Sequence, residues 1–168
     1  MQLYKEAGLP DGVVNFLPGS GALIGEVATQ SKSFSGIHFT GSTATFNSLW
    51  RQAGQNLGKY ISYPRIVGET GGKDFIFVHP SADPKAVATA AFCGAYEFQG
   101  QKCSAASRMY IPRSMWAGVL DDMKRMAAEV KMGDVKDAGN FINAVIDEAS
   151  FNKCQSYIEY AQQAADAQ

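Results

Sequence analysis

Histidine is nearly absent from this chain, with only His38 and His79 in 168 residues. No pair of ligand-forming residues stands at a zinc spacing, so metal chemistry has no foothold in the sequence. A Cys–His hydrolase would have to bring one of those two imidazoles onto a cysteine; both are expected as ordinary core or surface residues. Cysteine is scarce too: Cys93, Cys103 and Cys154 are the whole complement. An odd count is no disulfide framework, and a reducing compartment is the natural setting. There is no basic block, since 15 Lys and Arg face 16 Asp and Glu for a net charge of -1. Nucleic acid therefore has no electrostatic footprint to bind. The apolar runs are too short to span a bilayer, and Met1 to Glu6 carries no charged-then-apolar leader pattern. Repeats, low-complexity tracts and Pro/Ser-rich linkers are missing as well. What is present is a hydrophobic fraction of 46%, ample for a core.

Strand and helix patterns alternate along the chain. Residues 2–7 read as the tail of a helix stopped at Gly8, so the chain is expected to begin inside a larger architecture. Val13 to Leu17 reads as a strand, followed by a short helix with Leu23, Ile24, Val27 and Ala28 apolar. Ile37 to Thr40 is a second strand. The helix over 43–59 places Phe46, Leu49, Trp50, Ala53 and Leu57 on one face, and Arg65 to Gly68 is a third strand. This order argues for a parallel, helix-covered sheet in an α/β fold. Beyond Gly71-Gly72 the texture repeats, with a strand at 74–78 and a helix opened by Asp83-Pro84. That helix lines up Val87, Ala91, Gly94 and Phe98. After a strand at 107–111, Ser114 is expected to cap a helix with the stripe Trp116, Leu120, Met123, Ala127 and Val130. A last helix carries Phe151, Cys154, Ile158, Ala161 and Ala165. A two-part division is expected near Gly71, where the texture begins again.

Four stretches are suited to chemistry. Cys103 lies in the polar loop Gly100-Gln101-Lys102-Cys103-Ser104-Ala105, where a thiolate would be a strong nucleophile helped by Lys102 and a bend at Gly100. The alternative is a small buried hydrophobe, which is the reading given to Cys93 and Cys154 in their helical apolar patterns. Glu69 ends an apolar strand, where α/β sheets build their sites. With partial burial it would be a usable base, and without it a solvated strand-end acid. Gly41-Ser42-Thr43 joins a strand to a helix, which makes either an anion site or a plain N-cap. The run Gly19 to Gly25 also opens a helix, but its third glycine falls one place late for the dinucleotide fingerprint.

Taken together, Phe39-Thr40-Gly41-Ser42, Glu69-Thr70-Gly71-Gly72-Lys73 and Gly100-Gln101-Lys102-Cys103 resemble the aldehyde dehydrogenase family, in its motif order and along essentially the whole chain. Thr70, where leucine is common in the family, and the segment Gly139 to Asp147 resemble the branch that oxidises glutamate semialdehyde in proline degradation. The resemblance implies an NAD-dependent enzyme with Cys103 as nucleophile and Glu69 as the base that activates the deacylating water. It further implies that Gly41, Ser42, Thr43, Ala44 and Thr45 bind the pyrophosphate of NAD, that Gly21 approaches the adenine side, and that Ser104 lines the substrate pocket. No metal enters this chemistry. Residues 1–71 would be the C-terminal half of a Rossmann-like NAD-binding domain and 72–168 the N-terminal part of a catalytic domain, a partial aldehyde dehydrogenase fold.

By the same resemblance, the oxyanion-binding asparagine, the ribose-binding acids, the substrate-carboxylate loop and the oligomerisation strands lie outside these residues. The chain is expected to be an internal fragment, inactive by itself, of a homo-oligomeric protein acting on a small aldehyde, without nucleic acid or membrane partners. A cytoplasmic setting is expected, or the mitochondrial matrix in a eukaryote. Two rival readings are another semialdehyde dehydrogenase and a truncated, non-catalytic binding module.

Overall fold

Two parallel strand pairs, each with a helix crossing between its strands, organise the chain. A computed structural model describes residues 1–164, so Ala165 of the last expected stripe lies outside the described residues. The chain divides into two compact units, Met1–Gly71 and Gly72–Gln168.

The first unit holds helix α1 (Gln2–Glu6), helix α2 (Gly21–Gln30), strand β1 (Gly36–Gly41), helix α3 (Thr43–Gln55) and strand β2 (Arg65–Thr70). β1 and β2 are parallel, in register from Gly36 opposite Arg65 to Gly41 opposite Thr70. Parallel neighbours need a long crossover, which α3 supplies. Its Phe46, Leu49 and Ala53 share one face and are buried. Phe46 stacks on Phe39 of β1 at a centroid distance of 6.0 Å. On β2, the Phe46 ring occupies the place a Cβ on Gly68 would take, so only glycine allows this approach.

α2 packs on α3 through small residues. A Cβ on Gly25 would stand 2.7 Å from Leu49 Cδ2. Thr29 is 1% exposed, its hydroxyl 2.8 Å from the Gly25 carbonyl. Tyr60 donates its hydroxyl to the Thr29 carbonyl at 2.6 Å, and its ring packs on Phe34. The expected short helix is present; its Leu23, Ile24, Val27 and Ala28 are exposed, and it meets α3 on the Gly25–Thr29 side. One expectation fails here. Residues 13–17 form no strand; Val13, Val14, Phe16 and Leu17 are exposed, and no described strand pairs with them. A strand exists only where a neighbour accepts its ladder. α3 also stops short of the expected 59, giving way to a 3₁₀ turn at Leu57–Lys59, with Trp50 and Leu57 outside the core.

In the second unit, strand β3 (Asp74–Phe77), helix α4 (Pro84–Tyr96), strand β4 (Ala106–Tyr110), helix α5 (Arg113–Glu129) and helix α6 (Glu148–Gln163) follow in order. β3 and β4 are parallel with α4 between them. Asp83 caps α4, its Oδ1 accepting from the Ala86 N–H at 2.8 Å, with Pro84 in the first turn. Val78, Val87, Ala88, Met115 and Val119 form the core, and Ile76, Met109 and Ile111 pack around it. α5 opens one residue before the expected cap: Pro112 is the boundary residue and no side chain caps the helix. Met115 and Val119 are the buried pair; of the expected stripe, Leu120 and Met123 are half-buried, with Met123 packed on the core, and Trp116 lies outside. Phe98 falls beyond α4 and is exposed. α6 has its expected Phe151 and Ile158 exposed and buries no residue. Cys154 is likewise exposed, and Cys93 only half-buried.

Candidate active site

Cys103 and Ser104 are the middle residues of a tight turn closed by the Ala105 N–H on the Lys102 carbonyl at 3.2 Å. Both are exposed. The thiol has no hydrogen-bonding partner among the described residues. Lys102 does not face it: Nζ pairs with Glu97 Oε2 at 2.7 Å. The sequence expectation that Lys102 supports a thiolate is therefore corrected, since its charge is committed to a partly exposed ion pair worth about 0–1 kcal/mol.

The chain reaches Cys103 through an unusual path. After α4, Phe98, Gln99 and Gly100 all take left-handed φ values of 55°, 58° and 68°. Two consecutive non-glycine residues there cost on the order of 1–3 kcal/mol each, and such strain gathers at functional sites. Gln99 Nε2 donates to the Ala144 carbonyl at 2.8 Å, and Gln101 Oε1 accepts the Ile146 N–H at 3.0 Å. On another side, a Cβ on Gly72 would meet the Cys103 carbonyl oxygen at 2.6 Å, so glycine is required for the backbones to pass. The turn is thus held from two directions. Sequence reading missed the roles of Glu97, Gln99 and Gln101; the amides flanking Gly100 were the available signal.

Glu69 is the penultimate residue of β2, paired opposite Thr40, and is exposed. His38 and His79 are exposed, and His79 Nδ1 lies 2.8 Å from the Ser81 hydroxyl.

In the first unit, Gly41 ends β1 and Ser42 caps α3, with Oγ accepting from the Thr45 N–H at 3.1 Å. The Ser42 and Thr45 hydroxyls lie 2.7 Å apart. Thr43 and Ala44, in the first turn, have N–H groups that no intrahelical carbonyl can reach, which leaves two donors at the positive end of the helix dipole. The cap and the anion site are therefore compatible. Between α2 and α3 runs a groove of about 870 Å³, lined by Gly21, Ala22, Ala44, Thr45, Ser48 and Lys59 among others. The structure brings Gly21, Ala44 and Thr45 together on one groove; Gly41, Ser42 and Thr43 sit next to it in sequence and do not line it.

The first unit thus presents a strand–turn–helix whose N-terminus borders a groove, and the second an exposed thiol in a tight turn. The aldehyde dehydrogenase family model matches residues 1–167, and the chain belongs to that family. Within it, the chain is 52% identical to the mitochondrial Δ1-pyrroline-5-carboxylate dehydrogenase of Dictyostelium discoideum, over 99% of this chain and 31% of that protein. It is 43% identical to the mitochondrial human enzyme of the same name, over 95% of this chain and 29% of that one. The Mycobacterium tuberculosis Δ-pyrroline-5-carboxylate dehydrogenase, solved with NAD bound, superposes with a TM-score of 0.92 at 49% identity. That match covers 98% of this chain and 31% of that one. The chain thus spans about 31% of the length of such relatives.

Proposed function

We propose that this chain is part of an NAD-dependent dehydrogenase that oxidises L-glutamate 5-semialdehyde, the open form of 1-pyrroline-5-carboxylate, to L-glutamate in proline degradation. The observation that carries the reading is Cys103, an exposed thiol in a tight turn that follows the left-handed, hydrogen-bonded path at 98–100. The relatives' shared name and the NAD-bound neighbour support the substrate and the cofactor.

The residues fit a dinucleotide. The free N–H groups of Thr43 and Ala44 suit a pyrophosphate, Gly41 and Ser42 shape that turn, and Gly21 and Thr45 border the groove of about 870 Å³ beside it. When bound, NAD accepts the hydride that leaves the substrate carbon. Cys103 Sγ adds as thiolate to the aldehyde carbon, forming a C–S bond and a thiohemiacetal. Loss of hydride from that carbon leaves a thioester on Cys103. Glu69 takes a proton from water as it attacks the acyl carbon; the C–S bond breaks, the carboxylate departs and Cys103 is again a thiolate. Ser104, beside the nucleophile, lines the substrate pocket. Residues 1–71 belong to the cofactor-binding domain and 72–168 to the opening of the catalytic domain. The whole protein is a homo-oligomer working in a reducing compartment, the cytoplasm or, in a eukaryote, the mitochondrial matrix.

The test is made in the full-length protein that carries this chain. Cys103→Ala abolishes both NADH formation and ester hydrolysis, since both pass through the acyl–sulfur bond, whereas Cys93→Ala and Cys154→Ala keep them. Substantial turnover in the Cys103 variant would overturn the reading.

A further inference from the structure

We propose that Gln99 and Gln101 are positioning residues that clamp the Cys103 turn onto the segment 141–147, and that the two amides do so with opposite polarity. This rests on the reading of Cys103 as nucleophile. Gln99 uses its donor: Nε2 reaches the Ala144 carbonyl at 2.8 Å. Its Oε1 is buried with no partner among the described residues, so the donor alone orients the amide. Gln101 uses its acceptor: Oε1 takes the Ile146 N–H at 3.0 Å. Its Nε2 and its backbone N–H both turn back to the Phe98 carbonyl, at 3.3 and 3.1 Å. The side chain therefore ties the left-handed path at Phe98 to a second piece of chain.

That second piece is itself anchored. Ile142 bridges Met132, the Gly133 N–H donates to the Ile142 carbonyl at 3.0 Å, and Asn143 Nδ2 donates to the Gly133 carbonyl at 2.9 Å. Phe141 packs on Phe92 of α4 with ring centroids 5.9 Å apart. The segment is a fixed post, and the two glutamines fasten the nucleophile's loop to it from either side of Gly100. Left-handed residues persist only where their surroundings hold them, and these bonds supply the hold.

Because a carboxylate accepts but does not donate, one isosteric change separates the two roles. In the full-length protein that carries this chain, with every cysteine but Cys103 replaced by serine, a nitroxide on Cys103 reports loop mobility and hydrogen exchange reports the Ile146 amide. Gln101→Ala is expected to speed Ile146 exchange roughly three- to tenfold, the factor of one net hydrogen bond, and to loosen the label. Gln101→Glu keeps the acceptor and restores both. Gln99→Glu sets a carboxylate against a carbonyl and loosens the label. Exchange protection of α5 checks the fold in each variant. If Gln101→Ala or Gln99→Glu loses that protection, Gln101→Glu decides: retained Ile146 protection supports the clamp, and lost protection sinks it. Equal loosening by the two glutamate variants, or an unchanged label in Gln101→Ala and Gln99→Glu, also sinks it. The label needs no turnover, so active Cys103→Ala enzyme would remove the nucleophile reading and leave the clamp standing.

Discussion

Glu69 sits exposed on β2, while Cys103 sits exposed in its turn, and the two carry different halves of the proposed cycle. If Glu69 activates the deacylating water, Glu69→Gln in the full-length protein gives a first-turnover burst of NADH. Steady-state turnover then falls by roughly a hundredfold to ten-thousandfold, the usual worth of general-base help. Mass spectrometry should find the thioester on Cys103, and unchanged deacylation would leave Glu69 as a strand-end acid. Tyr60 makes a separate prediction. Burial pushes its phenol above the ordinary 10.0, and its hydroxyl donates to the Thr29 carbonyl. A raised folded value favours the neutral form in the folded state. That stabilisation is complete below the unfolded value and is lost as pH rises through the folded one. Urea midpoints of the chain should therefore fall above pH 10, and Tyr60→Phe should remove part of that fall. Identical slopes for both proteins would contradict this.

Between elements, the contact most sensitive to a single atom is that of α3 with β2. Phe46 occupies the space a Gly68 Cβ would need. Gly68→Ala should destabilise by about 1–3 kcal/mol through overpacking. Phe46→Leu, placed in the same chain, should recover part of that loss, because residues in contact are not additive. A double-mutant cycle by chemical denaturation measures it; strict additivity would mean the ring simply moves aside. In the α4–α5 core, Val119 is 0% exposed. Val119→Ala removes two buried methyl groups and should cost about 2 kcal/mol, whereas Trp116→Ala, outside the core, should cost much less.

For the molecule as a whole, the accessible surface is 12932 Å². A self-contained monomer of 18.1 kDa presents about 8,100 Å². The excess carries large apolar side chains, among them Leu3, Phe16, Leu17, Phe77, Ile146 and Tyr160, all more than 70% exposed. Apolar surface of this extent seeks a partner. The 168-residue chain alone should self-associate as concentration rises, with the weight-average mass from sedimentation climbing above that of a monomer. A constant monomer mass into the high micromolar range would show that the surface is tolerated.

The alternation of strand and helix, the Asp83-Pro84 cap and the family of the chain were legible in the sequence. Each is written in local residue types: period-2 and period-3.6 apolar patterns, a capping carboxylate, and motifs at characteristic order. The buried faces of α3 and α4 were legible too, through Phe46, Leu49 and Ala53 and through Val87 and Ala91, but those of α2 and α5 were not. α2 offers Leu23, Ile24 and Val27, yet buries Thr29, on the side where Gly25 meets Leu49 of α3. α5 offers the stripe of Trp116, Leu120 and Met123, yet its fully buried residues are Met115 and Val119, because the side that faces α4 lies between those two rows. Residues 13–17 have the composition of a strand, and among the described residues no strand pairs with them. Cys103 was visible as a polar-loop thiol, but the left-handed path that presents it, the turn of Lys102 toward Glu97 and the two amide ties to 144 and 146 depend on which backbone passes beside that loop. Local sequence determines what a segment is able to form; which face it buries and which groups it bonds is decided by the neighbours that folding brings against it.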